Sequence, residues 1–255
     1  MDEIVERLLH DGSPESLIRE EPLMLRIGGE PLLTMRTPGA DPALALGFVL
    51  GEGLVKHRSE VLEMRQELDA YVVTLSASAT PRIRQRLART HEIRASCGVC
   101  GLRNAEHLLE DLPPLLPGVP KLRVDALGNL ETRFRQRQRA FAATGGCHAA
   151  AIFAADGTLL GFGEDVGRHN ALDKAIGTAA QSDADLGQAI AMLSGRAGFD
   201  LVLKCLRVRV PIILSVSAPS SLGFDLCKDA GATLVGFVRN GSGKVYTDAG
   251  RFLTD

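Results

Sequence analysis

Two cysteines three residues apart, Cys97 and Cys100 in Ser96-Cys97-Gly98-Val99-Cys100-Gly101, are the sharpest chemical feature of the chain. The spacing lets the thiols meet, and the glycines make the backbone between them pliable. Thiolate is the reactive form of cysteine, and a neighbouring thiol or cation raises its share near neutral pH. Such a thiolate can accept a sulfane sulfur as a persulfide, which the second thiol can help to release by attacking it. A redox dithiol, half of a zinc site and inert structure are the other readings of a lone CxxC. Cys147-His148 could complete a four-ligand zinc set. Against that, neighbours on an extended strand point to opposite faces, and the usual paired spacing is missing from the second half. A thioredoxin-like CxxC belongs at a strand-to-helix junction, whereas this one precedes the proline-rich stretch Leu112 to Gly118.

Further clusters follow. In Thr144-Gly145-Gly146-Cys147-His148, two glycines allow a ligand close to the backbone and His148 could hydrogen-bond or shuttle a proton. A tight turn feeding a buried strand explains the same residues. Glu164-Asp165-Val166-Gly167-Arg168-His169-Asn170-Ala171-Leu172-Asp173-Lys174 is the densest run. Asp165 resembles a helix cap, but a cap does not call for Arg168 and His169 as well. Arginine gives bidentate phosphate contacts and a helix start offers free N–H groups to an anion, so an anionic ligand competes here with a solvated helix face. Ser217-Ala218-Pro219-Ser220-Ser221 suits a phosphate or an ordinary N-cap, and Phe237 to Ser242 suits a nucleotide or a plain hairpin. Cys205 and Cys227 occupy apolar helical positions and read as small core residues.

The elements that must position these groups are clearest in the last 110 or so residues. Ala149 to Ala154 and Leu159 to Phe162 flank Asp156-Gly157, a strong hairpin signal. Helices are predicted over Asn170 to Ala180, Phe199 to Val208 and Leu222 to Ala230, and strands over Ala189 to Leu193, Pro211 to Val216 and Thr233 to Val238. This alternation implies a sheet covered by helices with some parallel pairs. Ligands of such sheets sit beyond the carboxyl ends of the strands, where Ser194-Gly195-Arg196, Ser217 to Ser221 and Arg239 to Ser242 fall. One helix is expected from about Asp125 to Ala143, with Leu127, Leu130, Phe134 and Phe141 facing the core. The first third reads as small α+β structure. It has hairpins at Leu23–Ile27/Pro31–Thr37 and Val61–Leu68/Tyr71–Ser76, and a helix capped by Asp41 with Pro42 in its first turn. The division is therefore a smaller α+β domain over 1–120, ending in the CxxC loop and linker, and a larger domain over 121–255.

At 255 residues, 45% hydrophobic and 24% charged, the chain can build a core without disulfides. A net charge of -2 and the absence of Trp argue against a nucleic-acid platform. No apolar run approaches the roughly 20 residues that span a bilayer, and the start carries no secretory pattern. Five unevenly spaced cysteines do not make a disulfide framework, so a reducing cytoplasm is the expected location.

These clusters in this order resemble the FdhD family, the formate dehydrogenase accessory sulfurtransferases. The likeness lies in Glu21-Pro22-Leu23, Gly47 to Gly53, the CGVCG loop, Thr144 to Gly146 with His148 to Ala150, Glu164 to Lys174, and Val216 to Val238. It implies an enzyme, a sulfurtransferase-type carrier with a cysteine persulfide intermediate, that takes persulfide sulfur from an L-cysteine desulfurase. The carrier passes it to the bis-molybdopterin guanine dinucleotide molybdenum cofactor before insertion into formate dehydrogenase. That cofactor would be transient cargo, with GDP or GMP as mimics, and no tightly bound metal is expected. Cys97 would carry the persulfide and Cys100 assist. The family's cofactor-binding stretch falls on Phe237, Val238, Arg239, Asn240, Gly241 and Ser242, and His148, Asp165, Arg168, His169 and Ser194 are the added candidates. A homodimer and a cytidine-deaminase-like C-terminal domain are also implied. Deamination itself is not expected: Ala150 stands where that chemistry needs Glu, and Pro219-Ser220-Ser221-Leu222 replaces the cysteine pair. The rival is a non-catalytic cofactor-binding chaperone whose CxxC is a redox or zinc clamp.

Overall fold

The chain opens with an antiparallel pair, β1 (Ile4–Leu8) and β2 (Pro14–Ile18). In the computed structural model, residues 3–79, 83 and 112–254 are described; Cys97 and Cys100 lie outside them. The Gly28-Gly29 hairpin forms as predicted between β3 (Glu21–Ile27) and β4 (Glu30–Arg36), with both glycines at positive φ. The helix α1 (Asp41–Gly51) follows. Its N-cap is Ala40 rather than Asp41, whose carboxylate turns back to Arg36 at 2.9 and 3.0 Å. The second predicted hairpin appears as β5 (Val61–Gln66) and β6 (Tyr71–Leu75), giving a four-stranded sheet in the order β4-β3-β6-β5.

After the short β7 (Leu122–Arg123), the single helix expected to run to Ala143 breaks at Gln138, where ψ is 64°. It becomes α2 (Ala126–Arg137) and α3 (Arg139–Thr144). Glu164 stabilises the break by accepting the Ala140 and Phe141 N–H groups at 3.0 and 2.9 Å, serving the free donors of a helix start. The break also swings Phe141 outward to 48% exposure, correcting its expected core position.

The remaining elements are β8 (His148–Ala154), β9 (Leu159–Asp165), α4 (Arg168–Gln181), β10 (Ala189–Leu193), α5 (Phe199–Arg207), β11 (Ile212–Ser215), α6 (Ser221–Asp229), β12 (Thr233–Arg239), β13 (Ser242–Thr247) and β14 (Phe252–Leu253). They form a mixed six-stranded sheet, β13-β12-β11-β10-β8-β9, in which β10, β11 and β12 are parallel and β8 and β13 antiparallel to their neighbours. The class is mixed α+β, as predicted. The strand β13 and the pairing of β14 with β7 were not anticipated.

Two apolar clusters flank the six-stranded sheet. On one face Ala149, Ala151, Phe153, Ile190, Met192 and Leu214 meet Leu127, Leu130 and Phe134 of α2. On the other, Ile152, Ala191 and Ile213 join α4, α5, α1 and the inner face of the four-stranded sheet in one cluster. The order of layers is α2, large sheet, helices, small sheet. Helices α1 and α4 lie backbone to backbone: a Cβ on Gly47 would overlap the Asp173 carbonyl, and one on Gly177 the Ala43 carbonyl. Arg251, fully buried, donates to the carbonyls of Val119, Gly231 and Leu116 at 2.8, 2.7 and 2.7 Å. Among the described residues, no helix is long and apolar enough to cross a membrane.

Candidate functional site

Because β9, β10, β11 and β12 run the same way, their carboxyl ends gather on one edge of the sheet, together with the starts of β8 and β13. His148, Asp165, Ser194, Ser217 and Phe237 to Ser242 thus share that edge. From β9 to β12 it crosses four strand spacings, roughly 19 Å at about 4.8 Å each. The candidates fall at its two ends.

At the β9 end, His148 pairs in register with Asp165, and its ring lies against Gly195, where a Cβ would come 3.5 Å from Nδ1. Burial pushes the His148 pKa below its usual value, and Arg168 and His169 add to the depression. Ser194 Oγ accepts the Ala149 N–H at 2.9 Å, closing β8 against β10. Arg168 is exposed and has no ion pair or hydrogen bond among the described residues, and the same holds for Arg196. His169 Nε2 stands 3.6 Å from Asp200 Oδ2, and that imidazole holds the Asp200 carboxyl below the usual carboxylate range.

Asp165, expected to touch the ligand, is placed differently. It is completely buried, and its carboxylate accepts from Thr37 N (3.1 Å), Gly167 N (2.9 Å) and Asn170 Nδ2 (3.1 Å) while pairing with Lys174 Nζ (2.8 Å). It holds the start of α4 against the β4–α1 corner. Thr37 Oγ1 accepts from Val166 N at 3.1 Å, and the Met35 carbonyl from Asn170 Nδ2 at 2.7 Å. The dense acidic-basic run is thus divided, with Asp165, Asn170 and Lys174 inside and Arg168 and His169 facing outward.

At the β12 end, the strand overhangs β11: Leu214 pairs with Val235, and β12 continues to Arg239. Asn240 and Gly241, at φ 52° and 73°, make the two-residue turn into β13 that their identities favour. Gly241 N donates to Glu131 of α2 at 3.4 Å, and Ser242 Oγ donates to the Arg239 carbonyl at 3.0 Å. Val238 is fully buried beneath α2, so it offers no side chain to a ligand. Phe237 has φ 53°, a region that bulky side chains rarely adopt, and its N–H donates to the Ser217 carbonyl at 3.1 Å. Its ring is 39% exposed, with the Arg239 guanidinium 6.0 Å from the ring centroid. Between the ends, Ser220 caps α6 through Gly223 N at 3.1 Å, the ordinary use of such a serine.

Arg168, Arg196 and Arg239 give the edge a basic character that the chain's net charge conceals. The deeper acids are neutralised: Asp165 by Lys174, and Glu164 partly through helix donors. Cys147 donates its thiol proton to Glu164 at 3.5 Å, and burial, then Glu164, pushes its pKa up to about 12. It is a protonated, unreactive thiol. Cys205 and Cys227 are buried core residues, as read. Sequence reasoning missed Asp200 and Thr37; an acid in the first turn of a helix was the only local signal for the former.

The sequence model of the FdhD/NarQ family matches residues 18–253. The chain belongs to this family. Its FdhD/NarQ relatives include proteins named sulfur carrier protein FdhD from Mycobacterium tuberculosis, 41% identical over 93% of this chain and 92% of the relative. Another, from Streptomyces coelicolor, is 40% identical over 93% and 89%. A crystal structure from Desulfotalea psychrophila, described as that of a formate dehydrogenase accessory protein, superposes with a TM-score of 0.75. It is 25% identical, with 98% and 97% of the two chains covered.

Proposed function

We propose that this FdhD/NarQ chain is a sulfur carrier serving formate dehydrogenase, with the Cys97 thiolate as the carrying group. The thiolate attacks the outer sulfur of a desulfurase persulfide. A new S–S bond forms on Cys97, and the donor leaves as its thiolate. The loaded sulfur then goes to a molybdenum cofactor bearing guanine nucleotides. Attack by the Cys100 thiolate on the inner sulfur releases it as sulfide and leaves a Cys97–Cys100 disulfide, which a cellular dithiol reduces.

The observation that carries this reading is the basic strand-end edge in a chain that also possesses the CGVCG loop. A phosphate-bearing nucleotide finds the Arg168 and Arg196 guanidinia and free helix N–H groups at one end, and an exposed aromatic ring beside Arg239 at the other. Arginine and phenylalanine faces suit a purine base equally. We read the molecule as a cytoplasmic homodimer.

Incubation with an L-cysteine desulfurase and cysteine, followed by intact-mass spectrometry, tests the carrier. Wild type should gain about 32 Da per sulfur on a nucleophilic thiolate, C97A should gain none, and GDP affinity of C97A should stay within a few-fold of wild type. Full sulfur loading of C97A would overturn the assignment. Wild-type formate dehydrogenase maturation by the C97A/C100A double variant would favour a nucleotide-binding chaperone that uses the edge alone.

A further inference from the structure

Gly128, Glu131 and Arg135 of α2 are spaced three and four apart and so share one stripe of the helix. The neighbouring stripe, Leu127, Leu130 and Phe134, is buried against the large sheet and already holds the helix in place. The first stripe meets the turn at the β12 end. Gly241 N donates to Glu131 Oε2 at 3.4 Å, and Arg135 Nε donates to Glu131 Oε1 at 2.9 Å. Glu131 is only 5% exposed. Backbone lies on backbone at the same point, since a Cβ on Gly128 would come 3.3 Å from Gly241 Cα. Strand pairing alone does not fix this end. The last β12 residue paired with β11 is Val235, and the register between β12 and β13 shifts between Gly236 and Arg239. Phe237 and Arg239 therefore sit where the ladder is irregular on one side and absent on the other. A buried carboxylate often stabilises a fold no better than an apolar side chain of similar size. Glu131 spends that cost on one backbone N–H of the turn, and Arg135 fixes the carboxylate that receives it.

We propose that Glu131 is a positioning residue for nucleotide binding: through the Gly241 N–H it holds the Asn240-Gly241 turn, and with it the Phe237 ring and the Arg239 guanidinium, in the place where they meet the nucleotide. This rests on the nucleotide reading above and adds to it a helix that touches no ligand. Glu131 makes no contact with the nucleotide in this arrangement. It acts through the turn, and Gly128 lets the helix approach closely enough for it to do so. Affinity at the β12 end is then set from α2, behind the sheet edge, as well as by the residues that face the ligand.

Hydrogen exchange at the Gly241 amide, read by NMR, and isothermal titration of GDP test the assignment in wild type, E131L, E131Q and G128A. E131L keeps the bulk of the side chain but has no acceptor, whereas E131Q keeps one. E131L should unfold near the wild-type temperature, exchange faster at Gly241 and bind GDP about tenfold more weakly, the scale of one lost hydrogen bond to a charged group. E131Q should restore most of both the protection and the affinity. G128A should weaken GDP in the same direction, because its methyl group displaces the turn, although alanine is the better helix former. In an F237A background E131L should cost little further, as expected of residues that act as one unit. Wild-type exchange at Gly241 in E131L would overturn the proposal, and so would wild-type GDP affinity in that variant. A loss of affinity that follows a lowered melting temperature and is not rescued by E131Q would show a merely structural role and overturn it too. Failure of wild type to bind GDP, with Gly241 still released in E131L, would instead remove the nucleotide reading and this role with it.

Discussion

At the scale of single residues, the acids near the polar edge divide by burial. Asp165 receives four donors in a fully buried setting, so replacing it with Asn leaves Lys174 as an uncompensated internal charge. D165N should lower unfolding free energy by about 3–5 kcal/mol, measured by urea denaturation. Arg168 has no such partners among the described residues. R168A should leave stability within about 0.5 kcal/mol while weakening GDP binding by about 1.5–3 kcal/mol, the cost of a lost charged hydrogen bond. The thiols divide similarly. Burial raises Cys147 and Cys227 to about 12 and raises Cys205 as well. Iodoacetamide at neutral pH should therefore leave all three unlabelled in the folded protein and modify them in urea. Alkylation of Cys147 at the rate of a free thiol would contradict its bond to Glu164.

Among the elements, the closest packing is the crossing of α1 and α4, where Gly47 and Gly177 each face a carbonyl with no room for a methyl group. G47A and G177A should each destabilise by about 1–3 kcal/mol, as overpacking does, visible as a lower Tm, although alanine is the better helix former. Most elements were legible because each announced itself locally: Gly28-Gly29 and Asp156-Gly157 as turns, the apolar run before Ser217 as a buried strand. What stayed hidden depended on partners far along the chain. Nothing in Arg137-Gln138-Arg139 signals a break, because the carboxylate that caps the new helix belongs to Glu164. Likewise β13 is mostly polar and exposed, with the burial pattern of an edge strand, and only its pairing with β12 reveals it.

For the molecule as a whole, the candidate site was readable as a set of strand ends, since parallel order brings such ends together whatever their sequence. Its internal wiring was not readable. Thr37 and Asp165 are 128 positions apart, yet their bond ties the small sheet to the start of α4. The edge also makes stability depend on pH. Burial holds His148 below its unfolded pKa, so the unfolded chain binds more protons. Stability from this group is present above the unfolded value of about 6.5 and is lost as pH falls from there through the lowered folded pKa. H148N should flatten that part of a Tm-against-pH curve, and an unchanged slope would assign the acid sensitivity elsewhere. Finally, β14 pairs with β7 while Arg251 grips carbonyls at 116, 119 and 231. During translation, the support beneath α2 stays open until residues 251–253 leave the ribosome. Every nascent chain shorter than that lacks both the β7–β14 pair and the Arg251 clamp, so the apolar cluster that holds Leu122 and Phe252 closes only after that point.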